Sequence, residues 1–158
     1  MRKLASRVGV EAATLYYHFE SRDQILRYVA RTAIAQISVP ARTDYETWKD
    51  WLLDVARNFR AALVKRPYLA MLVADGYVPW DGLPVYTAER EILRAEGVRE
   101  ELHDRIIRIQ QLYVVGASML HSAQVKASHK PSCENDGDEM AADFDMGFRV
   151  LMDGLVAS

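Results

Sequence analysis

Apolar residues recur along this chain at intervals of three and four, with Pro and Gly breaking the recurrence. That period is helical, and no run of alternating apolar and polar residues is long enough for a strand, so an all-α fold is expected. Leu4, Ala5 and Val8 share one face of a short helix stopped by Gly9, and a second short helix runs from about Glu11 to Tyr17. Ser21 stands three residues before Gln24, the spacing of a capping box, and opens a longer helix that ends before Pro40. Thr43 and Glu46 repeat that spacing ahead of the stripe Trp48, Trp51, Leu52, Val55, Phe59 and Leu63, which ends near Arg66. Pro67 begins a helix closed by Asp75-Gly76, and Gly76 to Pro84 is a loop. Helices are then expected over about Val85 to Glu96 and from near Glu100 to about Ser128. Pro131 to Gly137 is polar and loop-like, and a last helix runs from Asp138 to Val156. Its stripe is Phe144, Phe148, Leu151 and Leu155, with Gly147 and Gly154 on the same side, where they would admit another helix closely.

Chemistry enters first at the N-terminus. A helix through Leu4 to Val8, a tight turn at Gly9-Val10 and a second helix to Tyr17 have the grammar of a helix-turn-helix. The open side of the second helix offers Thr14, Tyr16, Tyr17 and His18, side chains suited to phosphates and base edges in a major groove. The charge distribution agrees. The whole chain of 158 residues is −2, but residues 1–31 hold six basic and three acidic side chains, which leaves −5 on the remainder. A basic segment on an acidic body fits a nucleic-acid-reading head joined to a different module.

The segments Arg2-Lys3-Leu4-Ala5, Gly9-Val10, Thr14-Leu15-Tyr16-Tyr17-His18-Phe19 and Ser21-Arg22-Asp23-Gln24-Ile25-Leu26 resemble the DNA-binding head of the tetracycline-repressor family. Residues 1–38 would then be the head with its connecting helix, and 39–158 a ligand-binding and dimerisation body. The resemblance implies that Thr14, Tyr16, Tyr17 and His18 face DNA, with Arg2 and Arg22 on the flanking backbone. Family members carry a further helix ahead of the motif; with Met1 immediately before Arg2, the head is expected to lack it.

The resemblance also implies a small-molecule pocket and pairing of the last two long helices with a second copy. Aromatic rings with a few polar tips line such pockets. The candidates are Trp48, Trp51, Phe59, Tyr68, Met71, Trp80, Tyr86, Tyr113 and His121. An aromatic stripe at helical spacing is more often core, and His121 could be a satisfied core histidine with Gln111 or Gln124 as partner. The candidate dimer surface is Phe144, Gly147, Phe148, Leu151, Gly154 and Leu155.

Catalytic and metal chemistry find little support. His103 beside Asp104, and His129 near the single Cys133, lack metal-ligand spacing, and no nucleophile elbow or phosphate loop occurs. No catalytic residue, metal or cofactor is expected. With one cysteine, no secretory pattern and no apolar run of membrane length, the cytoplasm is the expected location. The expected function is a repressor that binds a palindromic DNA operator as a homodimer and is released by an apolar or aromatic effector. The alternative is a dimeric small-molecule-binding protein that has lost DNA binding.

Overall fold

A computed structural model describes residues 6, 7, 9, 11–127 and 134–157. Expectations for Arg2 to Ala5, Val8, Val10 and Ser128 to Cys133 lie outside these residues. Among the described residues the regular elements are helical and no strand occurs. The helices are α1 (Ala12–His18), α2 (Arg22–Ala35), α3 (Trp48–Lys65), α4 (Pro67–Ala74), α5 (Pro84–Ala95), α6 (Glu100–Ala127) and α7 (Glu134–Ala157), with a 3-10 turn at Arg42–Asp44. None of the described helices is long and apolar enough to cross a membrane.

Local chemistry sets the boundaries. Ser21 Oγ accepts from Gln24 N at 3.1 Å while Gln24 Oε1 accepts from Glu20 N at 2.6 Å, so α2 begins on a reciprocal cap. For α3 the capping residue is Thr47, not Thr43. Thr47 Oγ1 accepts from Asp50 N at 3.1 Å, and Thr43 lies in the 3-10 turn. The same residue grammar occurs twice within four positions, and the copy adjoining the apolar stripe wins. Gly9 and Gly97 have φ of +76° and +72°, the left-handed region that suits glycine. At Gly97 this lets Val98 N donate to Leu93 O at 3.0 Å, ending α5 and turning the chain into α6. Helix α7 starts at Glu134, so Glu134 to Gly137 is helical where a loop was expected.

The core forms around α3, which packs most extensively on α6 and also meets α4, α5 and α7. Trp51, Leu52, Leu53, Val55, Ala56 and Leu63 of α3 are buried against Ile106, Ile107 and Val114 of α6 and Phe148 and Met152 of α7. The Trp51 indole N–H donates to Pro40 O at 2.8 Å and so fixes the connection between α2 and α3. Along the outer edge, Lys49 pairs with Asp153 at 2.6 Å, Arg149 with Asp50 at 2.7 Å, and Arg57 with Asp145. Hydrogen bonds from Thr47 and Arg149 hold the Asp50 carboxyl below its ordinary pKa. These exposed pairs set the register of α7 on α3 more than they stabilise it.

Candidate functional site

The head presents its polar face to solvent. Thr14, Tyr16, Tyr17 and His18 of α1 are all exposed, Tyr17 to 87%, and the Tyr17 and His18 rings meet edge-on at 5.3 Å. Arg22, also exposed, occupies the first turn of α2, where the positive end of the helix dipole disfavours a cation unless an anion joins it. Phe19 is half-buried, edge-on to Tyr28 at 5.6 Å, and forms the underside of the corner between α1 and α2.

Helix α2 runs from this corner into the body without Gly or Pro. Its outer side is tied to the loop that follows α4. Tyr77 Oη donates to Asp23 at 3.3 Å, Arg27 lies over the Tyr77 ring, and Arg31 reaches the carbonyls of Asp81 and Gly82 at 3.5 Å each. Its inner side ends at a cavity, which Ile34 of α2 and Ile37 just past its end line together with Val55 and Phe59 of α3. Trp80 of the same loop, edge-on to Phe59 at 6.0 Å, and Val85 of α5 complete the apolar wall.

Polar groups enter this cavity from two helices, namely Glu89 of α5 and Gln110 and Gln111 of α6. Glu89 is 3% exposed, and among the described residues its only hydrogen bond comes from Gln110 Nε2 at 2.7 Å. Burial pushes its carboxyl from 4.5 up to about 8, opposed only by the Gln110 bond. Gln110 Oε1 is buried and has no hydrogen-bond partner. The space left for the centre of a water-sized sphere is about 10 Å³, enough for about one water. An occupant of drug size must therefore displace walls.

Of the expected pocket residues, Phe59 and Trp80 are brought together here. The others are placed elsewhere by packing. Trp51 is core at 1% exposure, and Trp48 packs on the core with Lys49 near its ring. Tyr68 and Met71 are on the open side of α4. Tyr86 donates to Asp104 at 3.1 Å outside the cavity. Tyr113 stacks on Phe144 at 5.1 Å and donates to Phe144 O at 3.0 Å, in a separate groove between α6 and α7. His121 has Arg60 as its neighbour, Nδ1 to Nη2 3.3 Å; burial and that guanidinium both lower its pKa.

Sequence reasoning missed Glu89 and Gln110, although a signal existed. Glu89 lies four residues from both Val85 and Leu93, and Gln110 four from both Ile106 and Val114, so each interrupts an apolar stripe. His103, with its Nε2 2.8 Å from Val98 O, is buried and closes the α5–α6 turn. No group of three or more metal-ligating side chains is found among the described residues.

The expected dimer stripe also divides. Phe144 and Phe148 are buried within the chain, Leu151 and Leu155 are half-buried on its core, and the space over Gly147 is taken by the Tyr113 phenol of the same chain. Gly154 stays open, with nothing within 4 Å of where a Cβ would stand. The exposed apolar side chains of these helices are others. Leu112, Leu120, Met146 and Val150 keep between 64 and 68% of their surface, and Met119 and Val125 are also exposed.

Residues 1–29 match the family model of bacterial regulatory proteins of the tetR family. The chain is similar to the class A tetracycline repressor from transposon 1721 of Escherichia coli, 39% identical over 66 residues. It is also similar to an HTH-type transcriptional regulator of Saccharopolyspora erythraea, 27% identical over 74 residues. These alignments cover 40 and 47% of this chain and span only 30 and 31% of the relatives. Solved structures match along nearly the whole chain. A TetR variant of Acinetobacter baumannii AYE in complex with minocycline is 29% identical, with a TM-score of 0.75, covering 99% of this chain and 82% of that one. BioQ with its double-stranded DNA operator is 25% identical, TM-score 0.69, covering 99 and 85%. ActR of Streptomyces coelicolor in complex with actinorhodin, at 19% identity, has a TM-score of 0.79 with 99 and 86% covered, and shows the shared fold. Head motif, all-α fold and these likenesses agree: the chain is similar to bacterial regulatory proteins of the tetracycline-repressor family in its head and shares their fold along nearly its whole length.

Proposed function

We propose that the protein is a ligand-responsive repressor that acts in the cytoplasm, binds a palindromic operator as a homodimer and is released by a small molecule. The observation that carries this reading is the continuity of α2. One end of it stands beside the exposed Thr14, Tyr16, Tyr17 and His18, and the other supplies Ile34 to the cavity wall, with Ile37 just beyond its last turn. An occupant that pushes on those side chains or on Trp80 moves the rod and hence the head. BioQ binds its operator and the Acinetobacter protein binds minocycline, which supports both halves. A coupling of about 1–3 kcal/mol, roughly a 5–150-fold weakening of operator binding by the effector, is ordinary for such a device.

The test is selection from random duplex DNA by the gene product. The expected result is a palindrome whose half-sites lie about 34–36 Å apart, one helical turn. Binding should weaken steeply with salt, and Tyr17→Ala should reduce it on selected sequences. Recovery of no preferred sequence would favour the alternative, a dimeric ligand-binding protein without operator binding.

The partner surface we assign to the outer face of α6 and α7. Leu112, Leu120, Met146 and Val150 form an exposed apolar area of the kind single chains seldom leave to water. Leu120→Glu should turn a dimer into a monomer in sedimentation at micromolar concentration, because a buried unpaired carboxylate costs several kcal/mol. Tyr68→Glu, on the open side of α4, should leave assembly unchanged. A dimer that survives Leu120→Glu places the interface elsewhere.

A further inference from the structure

We infer that the cavity between α2, α3, α5 and α6 takes an apolar ligand bearing a protonated amine, whose N–H groups pair with Glu89 and Gln110. This rests on the proposed reading of the cavity as the effector site and names the chemistry that site selects.

The inference follows from the inventory of donors and acceptors. Gln110 Nε2 is spent on Glu89 Oε1 at 2.7 Å. What remains at this pair is the other Glu89 oxygen and Gln110 Oε1, an acceptor that is buried without a partner. A buried acceptor without a donor is costly, so the site is incomplete until something supplies N–H or O–H groups. Among such donors a cation gains most. Glu89 gives it a counter-charge, and the aromatic rings of Phe59 and Trp80 line the same wall. A carboxylate ligand would bring no donor for Gln110 Oε1 and would find no cationic side chain in the wall to offset its loss of water. The rest of the wall, with Ile34, Val55 and Val85, demands an apolar remainder.

Protons report on the same step. Among the described residues, burial raises the Glu89 carboxyl and the Gln110 bond opposes it, and the cavity lining holds no charged side chain besides Glu89. Arg90 of α5 and Asp104 of α6 are paired with each other. With its carboxyl at about 8, Glu89 is mostly protonated in the empty cavity at pH 7. An ammonium that pairs with the carboxylate must displace that proton to solvent, so binding should release about one proton per site.

The test compares benzylamine with benzyl alcohol and benzoate, probes of one shape and three charges, by calorimetry and Trp fluorescence. Benzylamine is expected to bind at least about tenfold more tightly than benzyl alcohol, and benzoate not at all. Calorimetry in buffers of different ionisation heat should show the proton released with benzylamine only, a readout that needs no variant. Glu89→Gln should abolish both the preference for the amine over the alcohol and the proton release. Equal affinity for amine and alcohol, or a preference that survives Glu89→Gln, overturns the inference but leaves the cavity as a ligand site. If neither probe binds, the effector-site reading fails with it.

Discussion

Replacing Glu89 by glutamine should stabilise the protein by about 3 kcal/mol at pH 7, and the gain should disappear as the pH is lowered toward 4.5. The carboxyl titrates at 4.5 in ordinary surroundings and at about 8 in the fold, because burial disfavours its charged form. A raised carboxyl pKa means that the folded chain holds a proton that the unfolded chain has given up. Stability is thus unpenalised below 4.5, falls as pH rises through the window between 4.5 and about 8, and levels off above it. Glutamine keeps an oxygen to accept from Gln110 and has no proton to lose, so the variant should lack this pH dependence. Urea unfolding of both proteins across the window measures it. Parallel stability curves would mean that Glu89 is ionised in the fold and that its surroundings are wetter than described. The energetic cost of a buried carboxyl is what a site specialised for a cationic guest would carry when empty.

Trp51→Ala should cost about 3–5 kcal/mol, because the indole is enclosed by the core and its removal leaves a large cavity at the crossing of α3 with its neighbours. Trp51→Phe separates the two roles of the ring. Most of the apolar contact remains, but Pro40 O loses the donor now at 2.8 Å, for a loss of about 1–3 kcal/mol. Since Trp51 is not part of the cavity wall, Trp51→Phe should leave benzylamine affinity within about twofold of the parent at a temperature where both are folded. Denaturant unfolding gives the first quantity and calorimetry the second. A stable Trp51→Phe variant that no longer binds the amine would return this tryptophan to the ligand site.

Helical content, helix order and the head were legible in the sequence, because each depends on neighbours within a few positions. Period, caps and glycine stops act over one turn, and the outward polar set of α1 follows from seven consecutive residues. The Ser21–Gln24 cap could be read directly, whereas the choice of Thr47 over Thr43 depended on where the apolar stripe of α3 starts against its partners. Only the tertiary structure decided which apolar residues are core and which are left over. Helices α6 and α7 are apolar on more than one side, and periodicity alone gives no rank to those sides. The crossing of α7 over α3 and α6 buries Phe144 and Phe148 and leaves Met146 and Val150 outside. An aromatic stripe likewise gives no sign of where helices fail to meet, so Trp51 and Phe59, eight residues apart on α3, end in the packed core and in the cavity wall respectively. Glu89 and Gln110 were legible as polar breaks in two apolar stripes. That the two breaks face each other, 21 residues apart in sequence and 2.7 Å apart in space, was decided by the packing of α5 on α6.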